Sequence, residues 1–242
     1  MSALAIIPAA GSGTRMGGGT PKQFLSLEGA PVFLHTLRKF DAASSIDEVV
    51  LAVRQDEQER ARQAVAAERF SKPVRLTSGG SARQETVARA LASVTSPPEI
   101  VVVHDAVRPF VTVEMIDRAV EAARRDGAAI FGIPSVDTLK QVEHGVIIGT
   151  IPRERIALAQ TPQAFRYVLL REAFDRALAD EFQGTDESSL VERMGAKVII
   201  LRGSDRNIKI TKPSDLPVAR LFIALEREGE KSAPVNGISP ER

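Results

Sequence analysis

The sequence predicts an α/β fold in which helices cover both faces of a mainly parallel, Rossmann-like sheet, giving three layers. Short, continuous apolar runs rich in β-branched residues are typical of strands that are buried on both faces. These runs alternate with segments that have the helical period and are rich in Ala, Glu, Gln and Arg. Such alternation favours parallel strands with crossover helices, and ligands of these sheets bind beyond the carboxyl ends of the strands.

Six apolar runs are expected to form the strands. The first ends directly at a glycine-rich loop, and together the runs span residues 3–9, 49–53, 74–77, 100–103, 128–131 and 197–201. The helix-period segments span residues 32–40, 56–70, 82–94, 113–125, 167–179 and 214–227.

The length of 242 residues fits one domain with an insertion better than two domains. We expect a single domain over residues 1–228 with the insertion at about 137–153. Residues 229–242 carry Pro, Ser, Gly and charges of both signs without periodicity, so they are predicted to form a disordered tail.

Composition excludes several functional classes. The chain has no cysteine, which rules out a thiolate nucleophile, a disulfide framework and a cysteine zinc site. Its 32 basic and 31 acidic residues give a net charge of +1, which provides no overall field to attract nucleic acid or an anionic membrane. No apolar stretch approaches the roughly 20 residues of a membrane span. We therefore expect a cytoplasmic protein that binds neither nucleic acid nor membrane.

The insertion interrupts the alternation of strands and helices. Two β-prone runs joined by His144-Gly145 predict a β-hairpin arm. An arm this apolar needs a cover, and a second subunit could supply it.

The first glycine-rich loop runs from Ala9 to Gln23. Its G-x-G-x-x-x-G spacing is one residue longer than a dinucleotide fingerprint, and Lys22 is followed by Gln23 and not by the Ser or Thr of a P-loop. Its glycines allow close approach of the backbone to an anion. Arg15 can make a forked, two-point contact with phosphate oxygens, and Lys22 can act as a movable point charge. The pattern favours a phosphate site over a structural turn with solvated charges.

Two further loops follow predicted strands. Gly79-Gly80 opens a helix and could present backbone groups to a flat base, with Thr86 as a side-chain partner, although a plain turn with a helix cap fits equally well. Asp105 follows a buried strand, where a carboxylate is costly unless a magnesium–phosphate complex or Arg108 pairs with it. For His104, packing or hydrogen bonding is favoured over catalysis.

Later candidates are weaker when taken singly. Thr138 begins the arm and Arg153 closes it, and residues 160–163 read Gln-Thr-Pro-Gln. Thr185-Asp186-Glu187 stands at a predicted helix start, where Thr185 or Asp186 could be a cap, and residues 207–211 are predicted to form a late strand that carries Lys209.

Together and in order, these segments resemble one enzyme family, the 2-C-methyl-D-erythritol 4-phosphate cytidylyltransferases of the non-mevalonate isoprenoid pathway. The resemblance covers residues 3–225. It rests on AAGSGTRMG, PKQF, GGSARQETV, HDAVRPF, DTLK, QTPQAF, TDE and NIKIT, and the set is far more specific than any one member.

The resemblance implies a nucleotidyltransferase domain that transfers CMP from CTP to the substrate phosphate and releases pyrophosphate, with Mg²⁺ required and a homodimer formed through the arm. It implies catalytic roles for Arg15, Lys22 and Lys209. CTP would be bound by Ala9, Ala10, Gly11, Gly13, Gly80, Ser81, Thr86 and Asp105. The acceptor would be bound by Asp105, Arg108 and Thr185, together with Thr138 and Arg153 from the partner subunit, and Asp105 would also contact the metal, which is held mainly by the CTP phosphates.

Two other interpretations stay open at this point, and the sequence argues against a third. A ribitol-5-phosphate cytidylyltransferase differs in the acceptor alone. A regulatory protein that binds nucleotide without turnover is the second, and the retention of Arg15, Lys22, Asp105 and Lys209 argues against it. An NAD-dependent oxidoreductase requires the dinucleotide fingerprint that the first loop lacks.

The implied reaction is an in-line attack by an already anionic phosphate on the α-phosphorus of CTP, so catalysis reduces to positioning and charge neutralisation. We therefore predict that Arg15→Ala and Lys22→Ala each lose about 2.7–4 kcal/mol of transition-state stabilisation, or roughly 10²–10³ in turnover. Steady-state kinetics on variants shown to be folded by circular dichroism would check this. Near wild-type turnover in both would disprove the assigned roles.

Overall fold

The computed structural model describes residues 2–11 and 20–232, with side chains described as far as residue 228. Arg15 and Gly13 lie outside the described residues, as do residues 233–242 of the predicted tail. The described part forms eleven strands: β1 Ala3–Ala9, β2 Ser26–Leu27, β3 Ala30–Pro31, β4 Glu48–Val53, β5 Val74–Ser78, β6 Ile100–Val103, β7 Ala128–Pro134, β8 Leu139–Glu143, β9 Val146–Ile151, β10 Ala157–Arg166 and β11 Ile199–Arg202. Its helices are α1 Val32–Ala42, α2 Gln58–Ala66, α3 Arg83–Ala92, α4 Val113–Asp126, α5 Tyr167–Ala179, α6 Glu187–Arg193 and α7 Asp215–Ser232.

Seven strands form one sheet in the order β11-β7-β10-β6-β1-β4-β5. Every neighbouring pair is parallel except those of β10, which runs antiparallel to both β6 and β7. The predicted mainly parallel α/β sheet is therefore confirmed, and the six expected strands are present within a few residues of their predicted bounds.

Alternating residues of each strand supply two cores on opposite faces of the sheet. On one face Ile7 and Leu51 belong to a cluster with apolar residues of α1, α2 and α4. On the other face Ile6 and Val50 belong to a cluster with residues of α3, α5 and α6. Burial on both faces explains why the strands lack polar alternation, and it confirms the three layers.

Strand β10 was not predicted from the sequence. It contains Pro162, and proline removes a backbone donor that a central strand normally needs. The pairing of β10 with β7 shifts register between Gln160 and Gln163, and the Thr161–Pro162 peptide bond is cis. The proline is thus placed at an irregularity, where no ladder hydrogen bond is required of it.

Two predicted segments differ in the structure. Residues 207–211 form no strand, because Ile210 N–H donates to the Val107 carbonyl at 2.9 Å and joins the segment to a loop and not to the sheet. Helix α7 extends to Ser232, five residues beyond the predicted end at Arg227, so the chain is still helical where the disordered tail was expected to begin.

The arm is present as the hairpin of β8 and β9. Its two-residue turn places His144 at φ 47° and Gly145 at φ 81°, the left-handed pair that matches the twist of a hairpin. Val146 and Ile147 are 64% and 60% exposed. The hairpin prediction is confirmed, and its role in dimerisation stays a prediction.

In the described part of the chain, no helix combines the length and the apolar character needed to cross a lipid bilayer.

Candidate functional site

A cleft lies at the carboxyl edge of the sheet, where β1, β5 and β6 end. This is the edge at which parallel α/β sheets bind ligands. The lining residues are Pro8, Ala9, Ala10, Gly11, Lys22, Gln23, Gly80, Ser81, Ala82, Arg83, Thr86, Asp105, Ala106, Val107 and Lys209.

The described ends of the first loop line the cleft, with residues 9–11 on one side of the undescribed segment and Lys22 and Gln23 on the other. Lys22 begins a short 3-10 helix that is anchored by Phe24, which is 4% exposed and meets the Phe33 ring at 5.3 Å. The next residue, Gln23, is buried, and its side-chain amide donates to the Ala9 carbonyl. Sequence reasoning used Gln23 to exclude a P-loop and missed this contact.

The second loop also lines the cleft and is held by its own helix. Gly80 N–H donates to Thr86 Oγ1 at 3.0 Å, and the Thr86 hydroxyl donates to the Ala82 carbonyl at 2.9 Å. The backbone and hydroxyl of Ser81 both donate to Glu85, at 2.7 and 2.8 Å. The Gly80 amide and the Thr86 hydroxyl are therefore engaged within the loop, which they shape beside the cleft.

Asp105 is the electrostatic centre of the site. It follows β6, is 6% exposed, and is surrounded by three cations. Its carboxylate lies 2.9 Å from Lys209 Nζ, 3.1 Å from Arg83 Nε and 3.4 Å from Arg108 Nε. Burial alone would raise the pKa of Asp105, but Arg83, Lys209 and Arg108 outweigh it and hold the pKa well below its ordinary value.

Arg83 and Glu187 belong to the candidate site by their contacts, and sequence reasoning assigned a site role to neither. Arg83 Nη1 donates to both oxygens of Glu187 at 2.6 and 2.7 Å, while its Nε contacts Asp105. Burial raises the pKa of Glu187, and Arg83 opposes that rise. The two residues are 104 positions apart, so no local spacing could have paired them.

A polar network behind the cleft positions Arg108 and Lys209. Arg108 Nη1 donates to the Asn207 carbonyl at 2.7 Å, and Asn207 Nδ2 donates to the Thr161 carbonyl at 2.8 Å. His104 is fully buried, with Nδ1 2.9 Å from Thr161 Oγ1 and Nε2 3.1 Å from the Arg108 carbonyl. His104 is thus a packing and hydrogen-bonding residue, as the sequence suggested.

Three predicted acceptor residues do not line the cleft. Thr138 and Arg153 are exposed at the base of the arm, where Arg153 Nη1 donates to the Val136 carbonyl at 2.7 Å. Thr185 is also exposed and lines a smaller neighbouring pocket that includes Arg83 and Glu187. The Asp186 side chain after it caps α6 in a capping box with Ser189, as one interpretation of the sequence proposed.

The described residues contain no group of three or more His, Asp or Glu that could hold a metal ion. Asp105 is the one acidic side chain among the described residues that line the cleft, and three cations already engage it. Mg²⁺ often binds through one carboxylate plus substrate phosphates, with water completing its octahedron. The site therefore fits a metal ion that is held mainly by a bound polyphosphate and does not fit a metal ion held by the protein alone.

Comparisons with known proteins agree with one another. The family model described as 2-C-methyl-D-erythritol 4-phosphate cytidylyltransferase matches residues 3–225. Proteins of that name from Acidobacterium capsulatum and Solibacter usitatus are 51% and 48% identical; the alignments cover 92% and 93% of this chain and 98% and 97% of those proteins. The crystal structure of 4-diphosphocytidyl-2C-methyl-D-erythritol synthase from Anaerococcus prevotii is 30% identical, with a TM-score of 0.82 over 92% of this chain and 96% of that one.

Burial of His104 makes folding stability depend on pH. Burial lowers the pKa of His104 from 6.5 to about 4. Between pH 4 and pH 6.5, the histidine therefore binds a proton in the unfolded chain but not in the folded chain. Stability therefore falls as the pH is lowered from 6.5 to 4, and this one histidine contributes about 3 kcal/mol of that loss.

We predict that His104→Asn flattens the decline by that amount relative to wild type, measured by urea unfolding at several pH values. His144→Asn, on the exposed turn of the arm, is the matched control and should keep the wild-type slope. An unchanged slope in His104→Asn would contradict the assignment.

Proposed function

This chain belongs to the 2-C-methyl-D-erythritol 4-phosphate cytidylyltransferase family, and from that membership we propose that its cleft transfers CMP from CTP to 2-C-methyl-D-erythritol 4-phosphate. The products are 4-diphosphocytidyl-2-C-methyl-D-erythritol and pyrophosphate, in the non-mevalonate pathway to isoprenoids. The chain is a nucleotidyltransferase enzyme. The observation that carries the assignment of this reaction to the cleft is the convergence of Lys22, Arg83 and Lys209 on a pocket walled by two glycine-containing loops.

The reaction forms one bond and breaks another at the α-phosphorus of CTP. An oxygen of the acceptor's phosphate attacks that phosphorus, and the bond to the bridging oxygen of the β-phosphate breaks as pyrophosphate leaves. The nucleophile is already an anion, so no general base is required. The cleft instead has to hold two repelling anions together and neutralise the charge that develops between them.

The cations of the cleft divide this work. Lys22 acts on the triphosphate from the wall of the first loop, and Arg15 is assigned to the same triphosphate on the family motif. Lys209 contacts Asp105 at 2.9 Å while its side chain is 35% exposed, so it is the partner of Asp105 with the greatest access to a ligand. We assign to Lys209 the neutralisation of the negative charge that develops in the transition state. Asp105 holds the Lys209 ammonium in place beforehand.

The acceptor lies, in this proposal, on the Asp105 side of the cleft. Arg108 is mostly buried and tied to Asp105 and the Asn207 carbonyl, so its guanidinium is fixed for a phosphate or a hydroxyl. Thr185 lies on the segment that Glu187 and Arg83 join to Asp105. Ala9, Ala10, Gly11, Gly13, Gly80, Ser81 and Thr86 are assigned to the cytidine side.

A divalent cation is the expected cofactor, since enzymes of this family use divalent cations. Mg²⁺ bound to the triphosphate would neutralise its charge and orient the leaving pyrophosphate. Among the described residues of the cleft, Asp105 is the side chain that could add a protein ligand to the metal ion. As a biosynthetic enzyme that consumes CTP, the protein is assigned to the cytoplasm.

The arm is proposed to join two copies of the chain. Val142, Val146, Ile147 and Ile148 are each more than half exposed, which is costly for a lone hairpin and favours a covered surface. Thr138 and Arg153 lie at the base of the arm, away from their own cleft. In a dimer they are assigned to the acceptor pocket of the partner subunit.

One assay tests the reaction and its acceptor. We expect CTP with 2-C-methyl-D-erythritol 4-phosphate to release pyrophosphate far faster than CTP with ribitol 5-phosphate. Lys209→Ala should lose roughly 10²–10³ in turnover. Lys197→Ala removes an exposed lysine outside the cleft and should keep wild-type turnover. Preference for ribitol 5-phosphate would reassign the acceptor, and tight CTP binding without turnover would indicate a regulatory protein.

Mixed dimers test the shared site. Arg153→Ala and Lys22→Ala homodimers should each be nearly inactive, and after subunit exchange the mixture should recover up to about a quarter of wild-type activity, since one site of each hybrid is intact. Two affinity tags on the two variants would verify exchange. No recovery in verified hybrids would count against acceptor contacts from the partner subunit.

A further inference from the structure

Gln23 is a buried amide in the wall of the cleft. It is 2% exposed and lies between Lys22 and Phe24. Burial of an amide is costly unless its N–H groups find acceptors. Gln23 Nε2 donates to the Ala9 carbonyl at 2.6 Å and to the Gly11 carbonyl at 3.2 Å, so both of its hydrogens are used on the first loop.

These two acceptors flank the point where β1 leaves the sheet. Ala9 is the last residue of β1 that is paired with β4. The Gln23 amide therefore holds the backbone carbonyls at the end of the ladder and just beyond it. Ala10 lies between the two carbonyls and is packed from the other side by the second loop. A Cβ at Gly79 would overlap the Ala10 side chain, which shows how closely the two loops approach. The segment is therefore clamped on both sides.

We infer that Gln23 is a positioning residue for CTP: its amide fixes the backbone of Ala9, Ala10 and Gly11 that the proposed function assigns to the cytidine. Base recognition by backbone groups requires fixed N–H and C=O positions, because a wall that can shift discriminates poorly between cytosine and uracil. The inference rests on the proposed function for the identity of the nucleotide. The contacts themselves do not depend on it.

The role of Gln23 can be separated from that of Lys22. The 3-10 turn that carries both residues is held by its own backbone bonds, from Phe24 N–H to the Pro21 carbonyl at 2.9 Å and from Leu25 N–H to the Lys22 carbonyl at 3.2 Å. Phe24 is buried against Phe33. Loss of the Gln23 amide should leave Lys22 in place and affect nucleotide binding more than the chemical step.

The test replaces Gln23 with methionine, which keeps the length of the side chain and removes both donors. Gln23→Met should weaken CTP binding, measured by calorimetry, about tenfold, which is the size expected when one net hydrogen bond's worth of positioning is lost. KM for CTP should rise in parallel, the preference for CTP over UTP should fall, and kcat at saturating CTP should stay within about threefold of wild type.

Gln84→Met is the matched control. The Gln84 amide also bonds two backbone groups, donating to the Phe182 carbonyl at 3.0 Å and accepting from Gly184 N–H at 2.9 Å, but it does not line the cleft. Its CTP affinity and base preference should match wild type. Gln23→Asn keeps the amide on a shorter stem that cannot reach both carbonyls. Gln23→Asn should bind CTP with an affinity between those of wild type and Gln23→Met. If Gln23→Met does not fold, the same measurements are made on Gln23→Asn.

Three outcomes would overturn the inference. The first is wild-type CTP affinity and base preference in folded Gln23→Met. The second is weaker CTP binding in Gln23→Met with an unchanged base preference and a Tm lowered to a matching extent. The third is a loss of CTP affinity in Gln84→Met as large as that in Gln23→Met. Failure of the proposed function is visible separately. In that case the wild type itself releases no pyrophosphate from CTP and methylerythritol phosphate, while CTP binding still reports on Gln23.

Discussion

The buried carboxylate of Asp105 is the constraint on which the rest of the site depends. A charged group at the end of a central strand is stable only if opposite charges and hydrogen bonds replace the water it has lost. Here the replacements are Arg83 from α3, Arg108 from the same loop and Lys209 from a distant segment. Arg83 is itself half-buried and is balanced by Glu187 at the start of α6. One carboxylate thus joins four loops into a single wall.

The same charges suit the proposed chemistry. Cations that are already held by Asp105 and Glu187 need little rearrangement when a polyphosphate arrives, and preorganised charge of this kind supplies much of the stabilisation of phosphoryl transition states. The two carboxylates also limit the net positive charge of the cleft and so reduce the repulsion among its cations. Lys209 is more exposed than Asp105 and Arg108, so it is the cation best able to turn from protein to ligand.

Behind this wall, strand β10 supplies polar support that an apolar strand could not. Gln160 bonds both backbone groups of Ser204, Thr161 bonds His104 and the Asp105 amide, and Gln163 bonds Asp186 and Ser188. The antiparallel strand therefore positions the segment of Lys209 on one side and the start of α6 on the other.

The sequence by itself determined the features that local patterns encode. These are the six parallel strands, the helices between them, the hairpin turn at His144-Gly145 and the Asp105–Arg108 pair, whose partners are three residues apart. Tertiary structure alone decided β10, the non-strand path of residues 207–211, the Arg83–Glu187 pair and the Gln23 contacts with the first loop. Each of these joins residues far apart in the chain or breaks a local preference, and neither periodicity nor spacing records which distant groups will share one buried charge.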